Sequence, residues 1–565
     1  MAEPALPWIK AYPGGIDWAA AIAPDPVPRL LMASVERFGA RPCLDFLGKV
    51  YSYNEVGELV RRAAQGFARL GVRPGVRVGL MLPNTPYYVI AYYGVLRAGG
   101  TVVNINPLYA EPELRHLIGD ADIPIVVTLD LKLTYDVLDR LRDGNPLTTL
   151  VVCPMAEILP FAKSMLYRAF KRRDSAAVTA GTGHLWFADL VDNDGSLEEH
   201  AVDSIHDIAV LQYTGGTTGL PKGAMLSHAN LTANVQQCLA WFAGYQPGEE
   251  RALAVLPFFH VFAMTVAMNL AIAEGAEIVL MPRFELKQLL ETIHHRRPTT
   301  FPGVPTLFNA INKAPHLQRY DLRSIRSCIS GGAPLPVEVK AEFEALTGCT
   351  LVEGYGLSES SPVVACNPLK GTNKAGSVGL PLPGTTIEIL SIDDPTRVLP
   401  QGEHGEVALS GPQVMLGYWG KPEATGDVLR DGRLRTGDVG YLDEDGYLFL
   451  VDRIKDVIIA GGYKIYPRNI EEVIYQNPKV AEAIVLGIPD PYRGQTVKAF
   501  VAPREGETIT EAELLAFLKS KLSPIELPKL VEFRTSLPKT LIGKPSKKAL
   551  LDEENARLAA GTGSG

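Results

Sequence analysis

The sequence predicts an α/β protein: a large N-terminal domain of layered α/β subdomains plus a β-rich subdomain, followed by a small α+β C-terminal domain. Three observations carry this expectation. Helix-period and strand-like segments alternate through the first part of the chain. Near Gly376 the texture changes to short β-rich pieces separated by Gly and Pro. After "DRIKD" (Asp452–Asp456) the alternation starts again.

The individual elements follow from their patterns. "NEVGELVRRAAQGFARLG" (Asn54–Gly71) is amphipathic at helical spacing, and "RVGLMLP" after it is a short apolar strand. "YYVIAYYGVLRAGG" reads as a helix stopped by glycines, with "TVVNINP" as the next strand. Strand–helix–strand alternation implies a mostly parallel sheet covered by helices. "GTTIEILSI", "GEVALSG" and "GYLFLVDR" form the β-rich subdomain, which ends near Val451. "PRNIEEVIYQNP", "VAEAIVLGIP", "VKAFVAP", "EAELLAFLKSKL" and "KLVEFR" make the compact last unit. The expected divisions are 1–451, 452–552 and a disordered tail 553–565 that ends in "ARLAAGTGSG".

Size and composition narrow the classes. A chain of 565 residues with 46% apolar content exceeds one ordinary core. A net charge of −8 leaves no basic footprint, so no nucleic-acid partner is expected. The six cysteines are scattered without a C-x-x-C pair. They read as reduced thiols of a cytoplasmic protein, not as disulfides or a zinc site. "MAEPALPWIKAYPGG" has no basic stretch leading into an apolar one, so no secretory signal is expected.

Two segments admit two readings each. Ala252–Ala273, "ALAVLPFFHVFAMTVAMNLAIA", lacks Asp, Glu, Lys and Arg and is long enough for a membrane span. Pro257, His260 and Asn269 favour a buried strand, loop and helix instead. Leu159–Arg173, "LPFAKSMLYRAFKRR", sets Phe161, Met165, Leu166, Ala169 and Phe170 on one helical face, with Lys163, Lys171, Arg172 and Arg173 elsewhere. It reads as a surface helix with a solvated face, or as a peripheral contact with the inner face of a membrane.

The chemistry concentrates in "LQYTGGTTGLPKGAMLSHANL" (Leu211–Leu231). Glycines let backbone N–H groups approach anionic oxygens, Thr214, Thr217 and Thr218 add hydroxyl donors, and Lys222 adds a point charge. The loop is not a G-x-x-x-x-G-K-[ST] motif, because Pro221 precedes the lysine and Gly223 follows it. "GYGLSE" is not a dinucleotide fingerprint either, since Glu359 stands where the last glycine belongs.

"YTGGTTGLPKG" (Tyr213–Gly223) resembles the phosphate loop of the acyl-adenylate-forming, AMP-binding superfamily. Further motifs follow in that family's order: "SGGAPLP" (Ser330–Pro336), "EGYGLSES" (Glu353–Ser360), "GYWGKPEAT" (Gly417–Thr425), "RTGDVGY" (Arg435–Tyr441), "VDRIKDVIIAGGYKIYPRNIEEVI" (Val451–Ile474) and "LPKTLIGK" (Leu537–Lys544). "GPQVMLGYWGKPEAT" and "LPFFHVFAMT" are most similar to bacterial medium- and long-chain fatty acyl-CoA synthetases.

The resemblance implies a reaction and a site. A fatty carboxylate attacks the α-phosphorus of ATP to give acyl-AMP and pyrophosphate, and coenzyme A then displaces AMP. Thr214, Gly215, Gly216, Thr217, Thr218, Gly219 and Lys222 would cover the phosphates. Gly332, Ala333 and Pro334 would line the adenine site, with Gly354, Tyr355 and Gly356 against the base. Ser358 would lie near the α-phosphate, and Glu359 would hold Mg²⁺. Asp438 and Arg453 would hold the ribose. Lys544 is the implied catalytic lysine, carried on a mobile small domain that turns at Lys455. Gly461 and Gly462 would border the coenzyme A channel. The chain departs from the family in following Lys544 with Pro545, which leaves Lys547 as a competitor.

The acyl pocket implied is Ala252–Ala273 with Phe262, Met264 and His260, although His260 also reads as an ordinary core histidine. Chain length, and mono- against dicarboxylic preference, stay open. Related enzymes occur as monomers and homodimers. The rival functions are a pimelate-like dicarboxylate–CoA ligase, an acyl-AMP ligase loading a carrier protein, and an inactive acyl-binding protein. The lack of a carrier domain after residue 552 and the intact Lys222, Glu359, Asp438 and Lys544 weigh against the last two.

Overall fold

The computed structural model describes residues 6–171, 173–178, 183–198, 200–214, 221–242, 244–461, 463–490, 492–539 and 546–561. Two large sheets form its body. One has eight strands, in the order Gly417–Tyr418, Lys222–Ser227, Ile208–Thr214, Thr101–Asn104, Arg77–Met81, Ile125–Leu129, Thr149–Cys153 and His184–Trp186. From Ile208–Thr214 to His184–Trp186 neighbouring strands are parallel, as the alternation predicts. The strands Ile208–Thr214 and Lys222–Ser227, on either side of the Gly- and Thr-rich segment, instead pair antiparallel, with Thr214 opposite Lys222.

The second sheet has nine strands: Leu380–Pro381, Val363–Cys366, Thr350–Gly356, Ser327–Ser330, Thr300–Gly303, Arg251–Ala254, Glu277–Leu280, Pro42–Phe46 and Lys49–Ser52. Its interior is parallel, and its outermost strands are antiparallel. The helix Pro86–Arg97 is buried over nearly its whole surface because it lies inside the body. Its tyrosines keep hydrogen bonds there: Tyr93 Oη donates to Asn269 Oδ1 (2.8 Å), and Tyr88 Oη lies 2.7 Å from Asn104 Oδ1. The amphipathic helix Tyr53–Arg69 packs against it, opened by a reciprocal cap between Ser52 and Glu55.

The β-rich piece is an antiparallel sheet of Thr386–Leu390, Gly405–Ser410, Arg433–Leu442, Leu429–Arg430 and Leu448–Arg453. The chain then leaves for a fourth sheet through the single turn Ile454–Asp456. That sheet comprises Tyr463–Ile465, Ile458–Ala460, Gly494–Pro503, Val480–Asp490 and Leu530–Phe533. It has its own core of Ile458, Ile470, Ile474, Val485, Val497, Leu514 and Leu518.

The end of the chain corrects one expectation. A disordered tail beginning at 553 does not form, because the helix Lys547–Gly561 runs through it. Glu554 is buried and accepts from Lys498 Nζ (2.9 Å), and Arg557 pairs with Glu532 (2.9 Å). Composition alone hid these charge pairs. Ala252–Ala273 takes the buried reading, entering as the strand Arg251–Ala254 and continuing as the helical turns Ala263–Asn269 and Leu270–Ala273. Among the described residues, no helix is long and apolar enough to cross a membrane. All six cysteines are buried and unbridged.

Candidate active site

Several strand ends and the turns beside them build the site, together with Asp438 from within the strand Arg433–Leu442. Tyr355, near the end of Thr350–Gly356, is buried, and its Oη donates to Asp438 Oδ2 at 2.5 Å. Asp438 stands opposite Arg453 in register across two antiparallel strands, and Arg453 Nε lies 2.9 Å from Asp438 Oδ1. Burial raises Asp438 above the ordinary carboxylate range, and Arg453 works against that rise. Burial also raises the Tyr355 hydroxyl, so it stays protonated and serves as the donor. The arrangement presents a carboxylate already bridged between a donor hydroxyl and a guanidinium.

The backbone beside Tyr355 is constrained. A Cβ on Gly356 would stand 2.0 Å from the Pro362 carbonyl, so no larger residue fits the close return of the chain. That return forms the short turn Ser358–Ser360, which holds Ser358 and Glu359 half-buried. Glu359 Oε1 accepts from Tyr418 Oη (2.8 Å). Lys222 Nζ sits 5.3 Å from the centre of the same Tyr418 ring. The acidic residue and the basic residue of the site therefore meet across one tyrosine. "GYWGKPEAT" announced the segment, but nothing in the sequence singled out Tyr418 as their common neighbour.

Asp120 was also not foreseen. It accepts from Tyr213 Oη (2.7 Å) and pairs with Lys421 (3.0 Å), and its carbonyl accepts from the Trp419 indole (3.2 Å). It thereby ties the phosphate hairpin to the Gly417–Thr425 segment. Gly332, Ala333 and Pro334 follow the strand Ser327–Ser330, and the Leu335 N–H after them donates to Glu353 Oε1 (3.1 Å). Burial pushes the Glu353 carboxyl up to about 7. Gly354 is half-buried between Glu353 and Tyr355.

The turn Ile454–Asp456 carries Lys455, whose ammonium is pulled down by burial and then by the neighbouring Arg453. Gly461 lies in the turn between Ile458–Ala460 and Tyr463–Ile465 at φ +59°, with open space where a Cβ would be. Gly215, Gly216, Thr217, Thr218, Gly219, Gly462 and Lys544 lie outside the described residues.

Lys547 is described and already engaged. Its half-buried side chain places the ammonium 3.4 Å from Glu471, 3.8 Å from Asp452 and 4.0 Å from Asp456. Burial alone would lower it, but these three acids leave it raised. Asp452 in turn accepts from the Arg468 and Arg453 N–H groups (2.9 and 2.8 Å).

On the apolar side, Phe262 is half-buried with its ring against Gly331. His260 Nδ1 accepts from the Phe262 N–H (3.3 Å). Met264 is fully buried, and its sulfur lies 3.3 Å from Asn104 Nδ2. Phe262 therefore faces the Ser330–Pro336 loop, whereas Met264 packs toward the neighbouring large sheet.

Known proteins agree with this architecture. The model of the AMP-binding enzyme family matches residues 31–419, and that of the AMP-binding enzyme C-terminal domain matches residues 469–544. A long-chain-fatty-acid–CoA ligase of Bacillus subtilis (strain 168) is 44% identical, covering 97% of this chain and 98% of the relative. A ligase of the same name from Escherichia coli O6:H1 is 36% identical, covering 98% and 99%. Among solved structures, ATP-bound MatB from Rhodopseudomonas palustris superposes with a TM-score of 0.82 at 28% identity, covering 93% of this chain and 98% of its own. The anthranilate CoA ligase AuaEII, in complex with anthranoyl-AMP, shares the fold with a TM-score of 0.85 at 24% identity, covering 96% and 100%. From its ordered motifs, its layered sheets and these near full-length matches, the chain belongs to the AMP-binding enzyme family.

Proposed function

We propose that this chain is an ATP-dependent acid–thiol ligase that converts a medium- or long-chain fatty acid to acyl-AMP and then to acyl-CoA, releasing pyrophosphate and AMP. One observation carries the reading: Asp438 is bridged between Tyr355 and Arg453, Glu359 is joined to Lys222 through Tyr418, and Arg453 feels the Glu359 charge. The names of its relatives supply the acyl class.

In this reading Asp438 accepts from the ribose hydroxyls, Arg453 adds a donor, and Tyr355 lies against the base. Gly332, Ala333, Pro334, Gly354 and Gly356 give the backbone around the adenine. Thr214–Gly219 and Lys222 hold the departing pyrophosphate, with Ser358 near the α-phosphate. Glu359 would hold Mg²⁺. It is a lone carboxylate, and the described residues contain no group of three or more Asp, Glu, His or Cys that would build a full protein cage. That donor set suits a cation that takes one or two carboxylates and fills its shell with phosphate oxygens and water. When bound, the ion would offset charge on the triphosphate.

Lys544 would neutralise charge on the α-phosphoryl oxygens as the carboxylate adds. Lys547 is a poorer candidate because three acids already hold its ammonium. The unit 452–552 would act as a lid turning at Lys455, which removes Lys544 and brings Gly461 and Gly462 beside the pantetheine arm. The turn Ile454–Asp456, through which the chain passes between two separately cored sheets, supports that assignment.

The test is fatty-acid-dependent ATP–pyrophosphate exchange, followed by coenzyme A-dependent AMP release from hexanoic to octadecanoic acid. Exchange without AMP release would favour carrier loading, and neither activity would reject the reading.

A lipid surface is the further partner in this reading. The helix Phe161–Phe170 has no buried residue and leaves Phe161 (83% exposed), Phe170 (79%), Met165 and Leu166 open to solvent. Lys163, Arg168 and Lys171 flank this face, which complements an anionic bilayer. Co-sedimentation with equimolar phosphatidylglycerol–phosphatidylcholine vesicles, but not with pure phosphatidylcholine, is expected. The double variant Phe161→Asp, Phe170→Asp should abolish it. Binding that ignores both changes would contradict the assignment.

A further inference from the structure

A narrow cavity lies at the opposite end of the nine-stranded sheet's central strands from the adenine loop. Its volume is about 20 Å³, room for little more than one small group beyond the side chains. Two of its walls lead away from the site already described. Phe262, against Gly331, is followed at every fourth residue by Val266, Leu270 and Glu274, and the last three line the cavity. This spacing keeps side chains on one helical face. On the other wall, the strand Ser327–Ser330 runs from the cavity, at Ser327, up to Gly331.

The cavity is apolar along its length, through residues such as Val266, Leu270 and Phe301, and polar at one end. Glu274 is 8% exposed and, among the described residues, its carboxyl makes no hydrogen bond or ion pair. Its neighbour Glu250 is fully committed: Arg326 pairs with it, Thr299 Oγ1 donates at 2.5 Å, and the Gln246 N–H donates at 3.0 Å. Tyr245 Oη and Ser327 Oγ, 2.7 Å apart, line the same end. Burial, and then Glu250, push the Glu274 carboxyl up to about 8, so near neutrality it carries a proton and offers both a donor and an acceptor. A buried polar group left without a partner is costly, and a ligand oxygen placed beside it would remove that cost.

We propose that this cavity is the far end of the acyl channel, and that Glu274 is a hydrogen-bonding subsite for an oxygen on the far terminus of the acid, an ω-hydroxyl or a second carboxyl. The inference rests on the fatty-acid ligase reading and sharpens its substrate class. A methyl end would fill the apolar stretch but leave Glu274 unpartnered. An oxygenated end of matching length would satisfy both.

The experiment compares kcat/KM for coenzyme A-dependent AMP release with unsubstituted, ω-hydroxy and α,ω-dicarboxylic acids of equal length, from hexanoic to octadecanoic. The enzymes are the full chain and its Glu274→Gln and Glu274→Leu variants. At the length that reaches Glu274, the parent should prefer an oxygenated acid by about ten-fold or more over the unsubstituted one. Glu274→Leu should lose that preference while keeping the unsubstituted acid, and Glu274→Gln should retain most of it. The ratio within each variant cancels any general loss of active protein. The ω-hydroxy and dicarboxylic arms show which oxygen is read. A ratio that is the same in Glu274→Leu as in the parent, or a parent that favours the methyl end at every length, overturns the subsite alone. No AMP release with any acid overturns the ligase reading and the subsite with it.

Discussion

Arg453 Nε lies 2.9 Å from Asp438 Oδ1, and the two residues face each other across neighbouring antiparallel strands. One belongs to "RTGD" and the other to "DRIKD", so sheet register brings together two motifs that are separated in sequence. Tyr355 completes the group from a different sheet. A carboxylate held on both sides cannot swing away, which suits it to fix a sugar in one orientation.

Asp438→Asn preserves shape but removes the charge that balances Arg453. Loss of charge-assisted hydrogen bonds to the ribose should lower kcat/KM for ATP roughly 10- to 100-fold. Pyrophosphate exchange titrated against ATP measures it, and an unchanged ATP dependence would contradict the role.

Lys455→Pro tests the hinge. It should leave acyl-AMP formation near the parent rate and abolish thioester formation, since only the second half-reaction needs the lid to turn. Measuring the half-reactions separately decides it, and equal loss of both would reject the hinge role.

Glu353 gives a pH dependence of stability. Its carboxyl sits at about 7 in the fold through burial, against roughly 4.3 in an unfolded chain. The folded state holds a proton that the unfolded state has released between these values. Its contribution is therefore fully present below about pH 4 and is lost as pH rises through about 7. Glu353→Gln keeps an acceptor for the Leu335 N–H without this loss. Relative to the parent, the variant should gain roughly 2–4 kcal/mol between pH 4 and pH 8. Urea unfolding at both pH values checks this, and a pH-independent difference would contradict it.

Much of this architecture was legible in advance. One-faced burial left a helical period that located Tyr53–Arg69, whereas short apolar runs bounded by Gly and Pro located the almost fully buried Arg77–Met81, Pro86–Arg97 and Thr101–Asn104. What periodicity cannot carry is contact between distant segments. Tyr418 joins Glu359 to Lys222, and Asp120 joins two loops, only because separate strands end side by side. The helix through 553 escaped notice for a similar reason: Glu554 and Arg557 look solvated until Lys498 and Glu532 are placed beside them. Glu274 follows the uncharged Ala252–Ala273 run, and only the fold shows that it closes a cavity.

The most direct measurement is the single-turnover rate of acyl-AMP formation in Lys544→Ala, with the parent as reference and fatty acid and ATP both saturating. If the ammonium at 544 stabilises the charge that forms when the acid attacks ATP, the variant should be slower by about 100-fold or more. Adenylate appearing at the parent's rate would contradict the account.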